Sequence, residues 1–551
     1  MFNLNFIILN LKNSVNFVTI IVIVVLSFSC QSTKPELVVS RLEYKDRLKG
    51  FWLGSCIGNW TGLPTENRRT DFPFFTDSDF GPGKFDYVLD QDPWGADDDT
   101  DIEYVYQHAI EKNNNYKLTG EQISNAWQDH VGLPLLWVSN LAALGQMQNG
   151  AIPPATSLPE NNPMWDMIDA QLTTEIFGAL APGRPDVAID IAHLPIRTTA
   201  YLHSEWAAEF YVIMHALVPA IDQSLSRKEQ IIWLAEQARK RIPEWSYIAD
   251  MYDFVKAEYD VNPDKDNWEL TRDKVAQRYQ HSATAGYHYK YPWDAGINFA
   301  ASMVSLFYGE GDYKKTIRIG SMCGWDSDNP TATWGGLLGL LYGHKELQNH
   351  FSKTDFSDDY NIARTRFNMP RPMDNFTEMA ERGINIIDDI IINEMDGSIE
   401  GDNWIIPEIS TDNVKKYIET ANMPETFVPW VTIEDNDPRW KYQDFEIKKE
   451  QWNASGASLT FGYENCKAEI TFEGKAVQYY AFRSPNGGLV KITLDGISYG
   501  EFSLENHSSI EGQHYIKIFE KLDLISGPHT LIIQGDENVT EKTIDMLSIT
   551  K

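Results

Sequence analysis

The sequence predicts a multidomain protein, an all-α helical domain followed by an all-β sandwich, on three observations. From about Leu42 to Ile399 apolar residues recur at helical spacing, as at Ile102, Val105, Tyr106, Ala109 and Ile110, with Gly and Pro clusters between the segments. From about Phe445 to Lys551 the period falls to two. Ile492 and Leu494 alternate with Lys491 and Thr493, Asp495-Gly496 makes a hairpin turn, and Ile497 and Tyr499 resume the pattern. The chain has 551 residues, 42% apolar and 23% charged, which is ample for two buried cores and leaves no room for wholesale disorder.

The elements follow in chain order. Val15 to Ser29, VNFVTIIVIVVLSFS, carries no charge and follows Lys12; it is short for a membrane span and suits a signal-peptide core. It ends at Cys30 in LSFSC, which resembles the lipobox of bacterial lipoproteins, although Ser27 stands where that motif usually has a larger aliphatic residue. Two readings fit, a lipid-anchored exported protein and a plain secreted one, and the cysteine placed directly after the small Ser29 favours the anchor. On that reading residues 1–30 are a leader ending at the lipidated cysteine. The protein then sits at a bacterial outer membrane or in the periplasm and meets the membrane only through its anchor. A net charge of −32 argues against a nucleic-acid partner, because phosphate binding needs clustered Lys and Arg. Past Cys30 only Cys56, Cys323 and Cys466 remain, widely spaced, and imply no disulfide framework.

The helical domain is expected over 42–400. Its first helix, in GFWLGSCIGNWTGLPTE, carries Gly50, Gly54, Gly58 and Gly62 at four-residue spacing, a face without side chains suited to tight helix contact. Next comes ADDDTDIEYVY, with Asp97, Asp98, Asp99 and Asp101 crowded together. Thr100 and Glu103 form a capping-box pattern, so a helix is expected to start at Thr100 with the preceding aspartates in the loop before it. One or two acids there are explained by the helix dipole; three in a row exceed that need, and a bound cation relieves their repulsion better. CGWDSDNPTATWGGLLGLLYG places Asp326 and Asp328 at a second helix start, with Pro330 in the first turn and Gly335, Gly336 and Gly339 beyond it. Alone it is equally well read as a capped helix; the pair of clusters makes a metal site the better account. All-oxygen ligands point to Mg²⁺ or Mn²⁺, and five carboxylates suit two ions about 3.5 to 4 Å apart. Residues 401–442, rich in Trp, Pro and Glu, read as an ordered linker, and 443–551 as the sandwich of seven or eight short strands.

With these motifs in this order, the chain from about Leu42 to Leu347 resembles the ADP-ribosylglycohydrolase family, the fold of the dinitrogenase-reductase-activating glycohydrolases. That family opens with a glycine-spaced helix ending in G-x-P-x-E, continues with a T-D-D-T-type metal motif, and closes its site with D-T-D before a glycine-rich helix. IDAQLTTEIFGALAPGRPDVA and FYGEGDYKKTIRIGSMCGWDSD are further, softer likenesses to bacterial members. The resemblance implies that Asp98, Asp99, Asp326 and Asp328 bind metal. Asp97 and Asn329 stand where the family commonly has threonines, and both still offer oxygen. Glu66 matches the glutamate over the metals, a candidate to handle the proton of the attacking water, and Asp99 is taken with it as catalytic. Asn59 replaces a common aspartate. His203, in YLHSEWAAEFYV, falls near a histidine of the family pattern and is the candidate substrate contact; its rival reading is a satisfied core or capping histidine.

The chemistry the resemblance implies is metal-dependent hydrolysis of a glycosidic bond through an oxocarbenium-like transition state. An exported address fits intracellular ADP-ribosylated protein poorly. The C-terminal domain resembles the galactose-binding-like, carbohydrate-binding jelly rolls appended to secreted glycosidases, with Trp452, Tyr479, Tyr480 and Phe482 as stacking candidates. The expected substrate is therefore a glycan, a glycoside or an ADP-ribosyl compound outside the cytoplasm. A non-catalytic glycan-binding surface lipoprotein is the alternative, and metal binding discriminates between the two.

Overall fold

A computed structural model describes residues 36–95, 97–132, 136–282, 284–361, 368–408, 430–449, 451, 454–506 and 513–550. The segment expected as a leader, with Cys30, and Trp452 lie outside the described residues. Among the described residues sixteen α-helices precede an antiparallel β-sandwich, and Glu36–Lys551 forms one compact unit. The helical part is not purely helical. Glu36–Ser40 pairs with Asn403–Pro407, which also pairs with Ser398–Glu400, so a small sheet joins the two ends of the helical body. Ser40 then caps the first helix, Arg41–Gly62, by accepting from the Glu43 N–H.

That helix packs antiparallel on Asp328–Tyr342 at a separation only glycine permits. A Cβ on Gly50 would lie 2.2 Å from Gly339 O, one on Gly54 2.2 Å from Gly335 O, and one on Gly58 2.0 Å from Thr331 O. Such distances are well inside van der Waals contact, so the glycine stripe is a backbone-to-backbone seam. Its consequence is positional: the C-terminal end of the first helix meets the N-terminal end of Asp328–Tyr342, with Gly62 against the Asp328 backbone.

The sandwich faces two sheets together. One orders Ile497–Ser503, Leu489–Leu494, Gly527–Gly535, Ser458–Gly474 and Lys542–Ile544, with Lys441–Lys449 also on Ser458–Gly474. The other orders Gln513–Lys521, Ala476–Arg483, Met546–Thr550 and Trp430–Glu434. The segment expected as a linker thus supplies two strands: Asn403–Pro407 turns back to the helical body, and Trp430–Glu434 belongs to the sandwich. Each earns its strand by pairing with chain remote in sequence, which local composition does not report. Val477, Tyr479 and Ala481 point into the sandwich core, and Gln478 and Tyr480, on the opposite face of the same strand, are equally inaccessible. The helical body covers that face: Gln478 Nε2 and Lys517 Nζ both donate to Glu160 O, at 3.1 and 2.7 Å. Two aromatics expected to stack on sugars, Tyr479 and Tyr480, are therefore buried, and half-buried Phe482 packs against His514. Among the described residues Cys56, Cys323 and Cys466 are buried, and no disulfide joins them.

Candidate metal and substrate site

The acidic helix is Asp98–Asn113, two residues longer at its start than the expected beginning at Thr100. No capping box forms there, because both of its side chains have long-range partners: Thr100 Oγ1 lies 3.0 Å from Ser55 Oγ, and Glu103 accepts the Ile176 N–H at 2.7 Å. Asp97 takes the N-cap position, and Asp98, Asp99 and Asp101 occupy the first turn, where the helix dipole favours negative charge. Asp101 turns away from the other acids and accepts from Tyr360 OH at 2.6 Å.

The second cluster is set by a turn that demands glycine. Gly324 has φ +95°, and a Cβ there would lie 2.6 Å from Arg69 O. Across this turn Asn67 N donates to Trp325 O (2.8 Å) and Trp325 N to Arg69 O (3.1 Å), which holds the Glu66 loop against the Asp326 loop. Asn67 Nδ2 donates to Glu66 Oε1 at 2.8 Å and orients that carboxylate.

Ligand atoms of Glu66, Asp326 and Asp328 lie within 4.8 Å of one another, as do those of Asp97, Asp99 and Asp328. Asp328 belongs to both groups, so one carboxylate is common to two clusters that could each hold a metal ion. Between them lies Asn59, on the first helix, whose Nδ2 donates to Asp97 Oδ1 (2.6 Å), Asp99 Oδ2 (3.3 Å) and Asp328 Oδ2 (3.4 Å). A single amide cannot neutralise three carboxylates. Burial lifts Asp98, Asp99, Asp326 and Asp328 well above the usual carboxylate range, and their acidic neighbours lift them further. Buried Asp99 Oδ1, Asp328 Oδ1 and Asn59 Oδ1 have no hydrogen-bond donor. Orphaned hard oxygens among crowded carboxylates fit a divalent cation of the Mg²⁺ or Mn²⁺ type.

These acids floor a cavity of about 310 Å³ lined by Glu66, Asp97, Asp98, Asp99, Asp169, Asp326 and Asp328 on one side and by Trp137, Val138, Ile168, Leu172 and Trp293 on the other. Among the described residues no Lys, Arg or His lines it. Asp169 is pushed up to about 6 by burial, against the lowering pull of Ser139 and Asn140. It accepts from Ser139 Oγ and from the backbone N–H groups of Ser139 (3.2 Å) and Asn140 (3.3 Å), the first turn of helix Val138–Gln148. Asn140 Nδ2 in turn donates to Asp98 Oδ2 at 3.3 Å.

Of the residues singled out from sequence, Glu66, Asp97, Asp98, Asp99, Asp326 and Asp328 share this cavity. Asn329 is buried in the first turn of Asp328–Tyr342 and does not line it. His203 does not line it either. Its ring stacks on Tyr247 (3.9 Å, 13°) and lies edge-on to Trp206 and Trp245, and burial lowers its pKa to about 3, so it belongs to an aromatic cluster outside the pocket lining. Sequence reasoning missed Asp169, Asn140, Trp137 and Trp293, and Asn59, noted only as replacing a common aspartate, donates to three of the carboxylates. The IDAQL run holding Asp169 was the one available signal.

The family model described as ADP-ribosylglycohydrolase matches residues 40–366. No curated protein matches the chain. Among solved structures, an ADP-ribosylglycohydrolase-related protein complex is similar at 15% identity over 63% of this chain and 98% of its own, with a TM-score of 0.38. A family two carbohydrate esterase from Cellvibrio japonicus is similar at 19% identity over 22% of this chain and 33% of its own, with a TM-score of 0.18. A CBM35 from Cellvibrio japonicus Abf62 is similar at 11% identity over 22% of this chain and 93% of its own, with a TM-score of 0.19.

Proposed function

The chain belongs to the ADP-ribosylglycohydrolase family, and on that premise we propose that it is a divalent-metal-dependent hydrolase of a glycosidic bond in an extracytoplasmic glycan, glycoside or ADP-ribosyl compound. The observation that carries the reading is the convergence of Glu66, Asp97, Asp99, Asp326 and Asp328, from three separate stretches of chain, into two adjoining ligand groups sharing Asp328. Those five side chains hold the cations. A divalent ion held there would supply Lewis-acid chemistry.

The remaining work falls to the chain's own groups. Glu66, half-buried and aimed by Asn67, takes the proton of the attacking water or returns one to the leaving oxygen. Asp98, steadied by Asn140, and Asp169 offer acceptors for sugar hydroxyls. The indoles of Trp137 and Trp293, with Ile168 and Leu172, give an apolar wall for a ring face and exclude bulk water. A wall of indoles and a floor without any basic residue suit an uncharged glycoside better than a diphosphate. The rival, a glycan-capturing protein without catalysis, gives no reason for seven carboxylates in one pocket. Export on a lipid anchor at Cys30 is part of the same proposal and rests on the leader alone; Cys30→Ala should abolish labelling by radioactive palmitate.

Nitrophenyl glycosides and ADP-ribosyl substrates, assayed with Mn²⁺ and with chelator, test the activity. Turnover that chelator abolishes and Mn²⁺ restores is expected. Turnover indifferent to chelator, or none together with no heat of Mn²⁺ binding in calorimetry, would sink the reading.

A further inference from the structure

Among the described residues the β-sandwich contributes no side chain to the pocket lining, yet it grips both segments that carry the pocket's indoles. Trp137 immediately precedes helix Val138–Gln148. The other end of that helix lies on strand Gln513–Lys521: a Cβ on Gly145 would stand 3.5 Å from His514 O and from Ile516 Cδ1, and Gln513 Nε2 donates to Gln148 Oε1 at 2.9 Å. Between those contacts Tyr515, at φ +55°, leaves its own sandwich and joins the core of the helical body. The strain at the pocket end is of the same kind. Val138 is held at φ +34°, costly for a β-branched residue, while Asp169 captures the next two N–H groups.

Trp293 is held from the other side. Its carbonyl accepts the Ile168 N–H at 3.0 Å, and two residues earlier Tyr291 donates its hydroxyl to Glu434 of the sandwich and lies 3.2 Å from Ser455 Oγ. The Tyr291 and Trp293 rings are 6.1 Å apart at 32°, so a shift of one displaces the other. The whole 290–294 turn is locked besides: Asp294 accepts from Lys290 N and Tyr291 N, and Lys290 Nζ reaches Asp166 at 2.8 Å.

We propose that the sandwich is the specificity scaffold of the pocket: by clamping the Val138–Gln148 helix and the Tyr291 turn, it sets the spacing of the Trp137 and Trp293 indoles and thereby which sugar ring the pocket accepts. The second half of this statement rests on the glycoside reading above. The five carboxylates of the two ligand groups lie outside both clamped segments, on Glu66, at the start of Asp98–Asn113 and at the start of Asp328–Tyr342. Tyr291 and Gly145 are thus positioning residues, neither touching the cavity.

The test uses the full chain labelled with 5-fluorotryptophan, the two pocket resonances being assigned by Trp137→Phe and Trp293→Phe. Tyr291→Phe keeps the ring and deletes the clamp; Gly145→Phe wedges the helix from the strand. The first should move the Trp293 fluorine signal and the second the Trp137 signal, with Mn²⁺ affinity within about twofold of wild type. For the glycoside that wild type cleaves, KM should rise about tenfold with kcat within about twofold. Unmoved resonances in folded variants, or moved resonances with an unchanged KM, would overturn the proposal. Should wild type cleave no glycoside, the sugar reading fails by itself, and the resonances alone decide whether the clamp exists.

Discussion

Asp328 is the carboxylate on which both ligand groups depend, whereas Asp326 and Asp99 each serve one. Asp328→Asn should therefore weaken Mn²⁺ binding more than Asp326→Asn or Asp99→Asn, by about tenfold or more in calorimetry; equal losses from all three would contradict a shared ligand. The same acids give the metal-free protein an unusual pH dependence. Each has a folded-state pKa above its unfolded value, so the folded chain binds more protons and stability falls as pH rises through the folded pKa. For Asp169 that loss runs from about pH 4 to completion above its pKa of about 6. Thermal melts with chelator should give a lower Tm at pH 8 than at pH 5, and saturating Mn²⁺ should remove most of the difference. Asp169→Asn, which keeps an acceptor for Ser139 and Asn140, should flatten the part of the slope below pH 6.

At the scale of elements, the site exists because two helices touch backbone to backbone. Gly58→Ala would place a methyl 2.0 Å from Thr331 O, and no side-chain adjustment relieves a clash with a carbonyl. The expected cost is about 3 kcal/mol or more, read as a large drop in Tm, with weakened Mn²⁺ binding because Asn59 and Asp328 move apart. A variant that melts and binds metal like wild type would remove the seam from the account. The Asp98–Asn113 helix makes a related point: its start is decided by where Ser55 and Ile176 need Thr100 and Glu103, and the local capping pattern yields to those contacts.

For the whole molecule, Gln478 and Tyr480 on the outer face of strand Ala476–Arg483 are as buried as Val477 and Tyr479 on its inner face, and Glu36–Lys551 is one compact unit. Scanning calorimetry should show a single cooperative transition; two resolved transitions would mean that the sandwich is a separate module. The order of helical and strand segments, the glycine stripe, and both acidic clusters were legible in the chain, because each leaves a local mark: a period of 3.6 or 2, a four-residue glycine spacing, carboxylates too dense for a helix cap. Trp137 and Trp293 left none, since an indole acquires a role only from what folding sets opposite it; Asp169 left only its place in the IDAQL run and Asn59 only its place in the glycine-spaced helix. Tyr480 shows the converse, plausible as a ligand contact by residue type yet buried by packing, and His203 stacks on Tyr247 away from the pocket lining. By itself the sequence determined which groups carry charge and which segments coil or extend. Only the tertiary structure decided which of them meet, because a carboxylate pair hundreds of residues apart is joined by helix packing that no local pattern encodes.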